Sequence, residues 1–366
     1  MEPTCDRVEN TPLMTRNYSA FLPPVDKIRQ DVPFLTKLGW QTFFSQQTDV
    51  DELAATPPAR VTQVHRNSVH VIGETVDMKV PIVPDVTIGD WVLLDQTSIS
   101  RVLHRSSLIK RRAPGHDRAV QYIAANIDTA FLVTSCNADF KVARLERYIA
   151  LAFEADVAPV IVLTKKDLTD DLTDYIAQAQ SISETVPVVA LNAKSDEPLE
   201  ALAPWCKQGQ TVAFLGSSGV GKSTLVNTLA GREKAETQDV RAGGSKGRHT
   251  TTHRHLHMMP NGSVVMDTPG MRELQLTDAA GGVAEVFADL FELSTQCKFN
   301  DCAHQSEPGC AVRAALENGD LDHDRFKRWQ KLEAEERFNT ASLSDRRQND
   351  RAFHKAIKEI QKHNRK

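Results

Sequence analysis

Nine consecutive residues in the middle of the chain, Gly216-Ser217-Ser218-Gly219-Val220-Gly221-Lys222-Ser223-Thr224, restrict the fold more than any other feature. They satisfy G-x-x-x-x-G-K-[ST] and stand between an apolar strand-like run, Thr211 to Leu215, and a helical pattern carried by Leu225, Val226 and Leu229. A loop of this composition works only in that setting. Its glycines let the backbone curl until successive N–H groups and a helix N-terminus converge, where their partial positive charge suits phosphate. Lys222 adds a mobile charge at the β/γ oxygens of a nucleotide, and Ser223 offers a hydroxyl to Mg²⁺.

The surroundings supply the sheet that such a loop requires. From Tyr122 to about Ala280, apolar runs alternate with helical patterns such as Leu145, Tyr148, Ile149 and Ala152, the signature of a parallel sheet with helices on both faces. The runs are Thr129 to Thr134, Val160 to Thr164, Val186 to Leu191, Thr211 to Leu215 and Ser263 to Asp267. Asp267-Thr268-Pro269-Gly270 follows the last of them as a D-x-x-G element, in which Asp267 reaches the magnesium ion and the Gly270 amide senses the γ-phosphate. Thr250, Thr251 and Thr252 lie between the two motifs in a loop with Gly243, Gly244, Lys246, Gly247 and Arg248, as a threonine closing over Mg²⁺ should, and the sequence leaves the choice among them open.

Base choice is readable upstream. Thr164-Lys165-Lys166-Asp167 is similar to the N-K-x-D guanine motif, whose aspartate accepts from two guanine nitrogens, with Thr164 in place of the usual asparagine. That exchange removes an amide that braces the loop, which predicts weaker nucleotide affinity more than altered base identity. Asn192-Ala193-Lys194 is similar to the S-A-K element, in which the alanine amide meets guanine O6. Base-reading motifs at 164 and 192 therefore precede the phosphate loop at 216, the reverse of the ordinary order. A sheet tolerates such a permutation because the site depends on strand ends brought together in space.

A chain of 366 residues suggests two or three domains. Residues 1–56 read as an extension with a short, loosely docked helix around Leu35, Leu38, Trp40, Phe43 and Phe44. Short β-rich runs over 57–108 predict a small antiparallel barrel, and periodicity alone does not separate an OB-fold from an SH3-like one. A basic linker at 109–119, a GTPase domain at 120–280, a helical module at 281–340 and a basic tail at 341–366 complete the division. In the helical module, Cys297-x4-Cys302-x-His304-x5-Cys310 offers three thiolates and an imidazole, a closed set suited to one structural Zn²⁺. The net charge of −4 conceals a segregation: Arg101 to Arg118 and Ala341 to Lys366 are each net +5, leaving −14 on the remainder, as suits an acidic body meeting a polyanion through basic appendages. No apolar run approaches the roughly 20 residues of a membrane span, and the first twenty residues lack a signal-type apolar core, so the expected compartment is the cytoplasm.

Together these motifs resemble the RsgA (YjeQ) family of circularly permuted ribosome-assembly GTPases, over roughly residues 57 to 338 and including C-x4-C-x-H with E-P-x-C. The resemblance implies an OB-like barrel, a permuted α/β P-loop GTPase domain and a zinc-stabilised helical domain. It further implies GTP hydrolysis to GDP and phosphate with Mg²⁺, stimulated by the 30S subunit through contact with 16S rRNA. Action late in 30S maturation, release of assembly factors with RbfA among its partners, and a monomeric state complete the expectation. Where many GTPases carry a water-orienting glutamine after D-x-x-G, this chain has Met271, so His249, beside the threonines, is the candidate for that task by position and by resemblance. A P-loop ATPase or small-substrate kinase, and an RNA-binding scaffold using GTP only as a structural ligand, are the competing classes.

Overall fold

The computed structural model describes residues 32–112, 120–231, 255–267 and 278–340. The β-branched run after Pro57 folds into antiparallel strands β1 (Pro58–Val64), β2 (Ser68–Gly73), β3 (Asp77–Pro81), β4 (Trp91–Asp95) and β5 (Ser98–Val102). Their order is β3-β2-β1-β4-β5. Alternation sends Val69 and Val71 of β2 into a core with Ala59, Val61, Val80, Val92 and Leu94.

The preceding segment departs from the single loosely docked helix expected of it. Three short helices form instead, α1 (Phe34–Lys37), α2 (Thr42–Ser45) and α3 (Val50–Ala55). Leu38 and Phe44 are buried against Trp91, Leu93 and Leu103. Asp49 caps α3 by accepting from the Glu52 amide at 2.7 Å, and the Glu52 carboxylate holds Arg101 of β5 at 2.8 Å. Beneath them lies Arg60, fully buried, donating to the carbonyls of Leu38, Gly89 (3.3 Å) and Asn126 (2.9 Å). Burial lowers its pKa to about 10, so it remains a cation at neutral pH.

The basic segment expected as a linker is, in its described part, a strand. β6 (Leu108–Arg112) pairs antiparallel with β7 (Val120–Ala125), Lys110 facing Tyr122 and Arg111 facing Gln121. Burial of Ile109 and Ile123 in the central core anchors the hairpin.

The central sheet contains β8 (Thr129–Ser135), β9 (Ala158–Thr164), β10 (Val188–Ala190), β11 (Thr211–Leu215), β12 (His255–Met258) and β13 (Val264–Asp267), ordered β10-β9-β8-β11-β13-β12. All neighbours in it are parallel except β12 with β13. Residue alternation builds two cores. Ala130, Leu132, Ile161, Leu163, Ala213 and Leu215 face α4 (Val142–Glu154) and α8 (Ala280–Val286). Phe131, Val133, Val160, Val162, Val212 and Phe214 meet Leu225 and Leu229 of α7 (Lys222–Leu229) on the other side. Two smaller helices, α5 (Leu172–Gln180) and α6 (Glu197–Ala201), complete the crossovers. Among the described residues, the sheet continues into the N-terminal strands at Gln63 of β1, opposite His255 of β12.

After α8 come α9 (Ala288–Thr295), α10 (Ala311–Asn318) and α11 (His323–Thr340). Their apolar residues Leu290, Val312, Phe326, Trp329 and Leu332 belong to the same core as α4. Close approach makes this possible: a Cβ at Gly282 would lie 1.9 Å from the Ala150 carbonyl oxygen, so only glycine admits α8 onto α4 at this point.

Candidate nucleotide site and metal centre

The phosphate loop leaves the end of β11, the strand held between β8 and β13. Gly216 has φ +147°, and a Cβ there would stand 2.2 Å from the Val133 carbonyl oxygen, which explains the first glycine of the pattern. Val220 is buried as the loop's anchor, while Ser218 and Gly219 are exposed at its rim. Lys222 folds its ammonium back over the loop, donating to the carbonyls of Gly216 at 2.7 Å and Ser217. Ser223 and Thr224 follow in the first turn of α7, with Ser223 exposed.

Both base-side motifs converge on this loop. Thr164, fully buried at the end of β9, donates its hydroxyl to the Val220 carbonyl at 2.6 Å and also lies 3.1 Å from the Thr134 carbonyl. The threonine hydroxyl therefore braces the phosphate loop at Val220. Lys165 takes a left-handed conformation at φ 58°, turning the chain so that Asp167 stands exposed on a short 3-10 turn. On the neighbouring loop Ala193 accepts from Thr228 of α7 at 3.2 Å, and a Cβ at Gly221 would meet Ala193 at 3.6 Å and Thr164 at 3.8 Å. Asn192 accepts from the Lys194 amide at 2.9 Å. Glu197, which the sequence did not single out, joins the two base-side loops: it accepts from Lys166 at 2.7 Å and from the Asn192 amide at 3.2 Å. The Lys166 hydrogen bond is the largest cause holding its pKa below the ordinary carboxylate value.

On the other flank β13 ends at Asp267, one strand from the phosphate loop. A serine hydroxyl at the head of α7 and a carboxylate residue at the end of β13 are the hard oxygen donors that Mg²⁺ takes. His249, Thr250, Thr251, Thr252, Gly270 and Met271 lie outside the described residues, as does the tail 341–366.

The Cys/His cluster is assembled. The ligand atoms of Cys297, Cys302, His304 and Cys310 lie within 4.8 Å of one another. Cys297 Sγ is 3.9 Å from Cys310 Sγ and 3.6 Å from His304 Nδ1, which is 3.4 Å from Cys310 Sγ. A tetrahedron with Zn–S bonds of about 2.3 Å has edges of about 3.8 Å, so the residues present fit zinc. His304 takes φ 59° and packs near Trp329 at 5.5 Å. Glu307, of the E-P-x-C string, accepts from the amides of Ala303, Gln305 and Ser306 at 3.0, 2.9 and 3.0 Å. Its own amide, the largest cause, and these backbone hydrogen bonds lower its pKa to about 2 and shape the ligand loop.

Sheet order and loop placement define a circularly permuted P-loop GTPase, its base-side strands β8, β9 and β10 preceding the phosphate-loop strand β11. The comparisons make this specific. The RsgA GTPase family model matches residues 102–277. A relative named small ribosomal subunit biogenesis GTPase RsgA 2, from Vibrio parahaemolyticus serotype O3:K6 (strain RIMD 2210633), is 47% identical over 336 residues, 91% of this chain and 94% of the relative. A small ribosomal subunit biogenesis GTPase RsgA from Mesorhizobium japonicum (strain LMG 29417 / CECT 9101 / MAFF 303099) is 46% identical over 329 residues, 87% of this chain and 94% of the relative. The crystal structure of YjeQ from Thermotoga maritima superposes with TM-score 0.56 at 27% identity, covering 76% of this chain and 97% of that one. That of YloQ, a circularly permuted GTPase, shares the fold with TM-score 0.54 over 81% of this chain and 100% of that one. The chain belongs to the RsgA GTPase family and is a GTP hydrolase. A match of 91% of the chain also carries the likeness beyond residues 57–338. An ABC transporter model matches residues 199–359, a span that contains the phosphate loop common to P-loop proteins but neither base-side motif, and among the described residues no helix is long and apolar enough to cross a membrane.

Proposed function

We propose that this GTPase acts in the cytoplasm on the small ribosomal subunit, is stimulated by the 30S particle through 16S rRNA, and works late in maturation to release assembly factors, RbfA among them. The observation that carries the nucleotide half of this reading is the convergence of Thr164 and Ala193 on the phosphate loop, with the Thr164 hydroxyl 2.6 Å from the Val220 carbonyl. Residues 216–224 hold the phosphates, Lys222 supplies charge to them, and Asp167 and the Ala193 amide read guanine. Ser223 and Asp267 hold Mg²⁺, which when bound supplies charge neutralisation at the transferring phosphoryl group. One of Thr250 and Thr251 closes over the γ-phosphate, and His249 orients the attacking water. The names of the relatives support the ribosomal half.

The β1–β5 strands are an OB-like barrel in this reading, supported by the order β3-β2-β1-β4-β5, and such barrels commonly bind RNA. One structural Zn²⁺ sits on Cys297, Cys302, His304 and Cys310, and the protein works as a monomer. The test is GTP turnover with and without purified 30S subunits, on the parent chain and on His249→Ala. Stimulation by the subunit is expected, and His249→Ala should lower stimulated turnover by about 10²- to 10⁴-fold while preserving GTP-dependent binding to the subunit. Absence of stimulation refutes the ribosomal reading. Undiminished stimulated turnover in the variant removes His249 from the mechanism.

A further inference from the structure

Arg144 lies in the first turn of α4, outside every motif read from the sequence, and its guanidinium reaches the phosphate loop. One nitrogen, Nη1, donates to Ser217 Oγ at 2.5 Å, to Asp139 Oδ1 at 3.0 Å and to the Asp139 carbonyl at 3.2 Å. Asp139 is itself placed from the neighbouring strand. Its amide donates to Asn137 Oδ1 at 2.9 Å, and that oxygen accepts from Ser135, the last residue of β8, at 2.9 Å. Farther along α4, the buried Glu146 accepts from Arg328 of α11 at 2.9 Å, and Arg147 donates to Glu335. The helix is thus clamped to α11 a few residues beyond the point where it presents a cation to the loop.

We propose that Arg144 is a positioning residue of the nucleotide site, fixing the first turn of the phosphate loop through the Ser217 hydroxyl. Three facts carry it. The donor is charged, and charge-assisted hydrogen bonds are the strong ones. It stands on a regular element clamped to α11 through Glu146 and Arg147, which fixes geometry better than a loop residue does. Ser217 is separated from Arg144 by 73 residues, so the bond ties the β8–α4 side of the sheet to the β11 loop. The inference rests on residues 216–224 being the nucleotide site.

The test is a double-mutant cycle on the intact chain, read by titration with fluorescent GDP. Arg144→Ala and Ser217→Ala should each weaken binding about tenfold, the size expected of a hydrogen bond from a charged group. The double variant should fall no more than about threefold below the weaker single, because both remove the same bond. Arg144→Lys, which keeps a cationic donor, should recover part of the loss. A general loosening of the fold would give neither the shared loss nor the recovery. Unchanged binding in Arg144→Ala, or losses that multiply in the double variant, overturns the proposal. Should Arg144→Ala fail to fold by circular dichroism, Arg144→Met, which keeps the apolar stem and removes the donor, takes its place in the cycle with the same two outcomes. Lys222→Ala separates the two levels: normal GDP binding there means the loop is not the site and the inference falls with it, whereas lost binding beside an unaffected Arg144→Ala removes only the role of Arg144.

Discussion

Arg328→Ala should release α11 from the GTPase domain by stranding a buried carboxylate. Glu146 has no exposed side-chain surface, and Arg328 Nε meets both its oxygens, at 2.9 and 3.0 Å. Breaking a buried ion pair by removing one partner costs about 3–5 kcal/mol. The lower end applies, because Arg325 remains 4.0 Å from Glu146 and Arg328 is itself 28% exposed. About 3 kcal/mol corresponds to about a 150-fold loss of protection for α11 amides if the helix opens locally, measurable by hydrogen–deuterium exchange with mass spectrometry on the intact chain. The pH dependence has a defined sign. Burial raises the Glu146 pKa against the lowering effect of its arginines, so its ionisation costs stability as pH rises upward from the ordinary value of 4.5. Without Arg328 that window extends higher, and the loss should be greater at pH 8 than at pH 5.5. Glu146→Gln, which leaves no charge to strand, should lose less than Arg328→Ala. A change in protection below about threefold at pH 8, or equal losses at both pH values, would refute the reasoning.

Three further outcomes follow from the site. Asp167→Asn should weaken GTP and improve competition by xanthine nucleotide, since the amide presents a donor where guanine needs an acceptor; unchanged GTP binding and no xanthine gain place base reading elsewhere. The protein purified without chelator should carry one zinc per chain by metal analysis, and Cys302→Ser should lose it, with subunit binding suffering more than nucleotide binding. Glu307→Ala should speed exchange at the amides of Ala303, Gln305 and Ser306. Because the Glu307 pKa falls from 4.5 to about 2 on folding, its contribution is complete above about pH 4.5 and lost as pH falls toward 2, so parent and variant should converge in acid.

What the sequence disclosed were features whose cause is local. The central strands were legible because an apolar run bounded by turns needs no distant partner to be read, and the phosphate loop because its glycines answer to φ angles at their own positions. Glu146 was not legible: on an amphipathic helix a glutamate reads as solvated surface, and its partner Arg328 stands 182 residues away. The firm docking and the number of the N-terminal helices were missed for the same reason, since the burial of Leu38 and Phe44 also needs the distant Trp91, Leu93 and Leu103. Thr164 was read by what it lacks relative to asparagine, whereas the hydroxyl it offers acquires a role only beside the Val220 carbonyl. Glu197 and Arg144 belong to no motif, and single-residue bridges of this kind carry no sequence periodicity.

The permuted strand order has a consequence for how the chain is made. Synthesis runs from the N-terminus, so β8, β9 and β10 emerge with both base-side loops while β11 is still unmade. A nascent chain at that stage holds three parallel strands whose inner edge, on β8, has no neighbour yet, and an open apolar edge invites mispairing. The piece that covers this edge is β11, the strand that also delivers the phosphate loop and α7. One strand thus both closes the sheet on this side and carries the phosphate cradle. Nucleotide capture therefore marks a chain whose base-side half has already found its strand partners, and a translation product ending before β11 would be unable to register as complete by binding GTP.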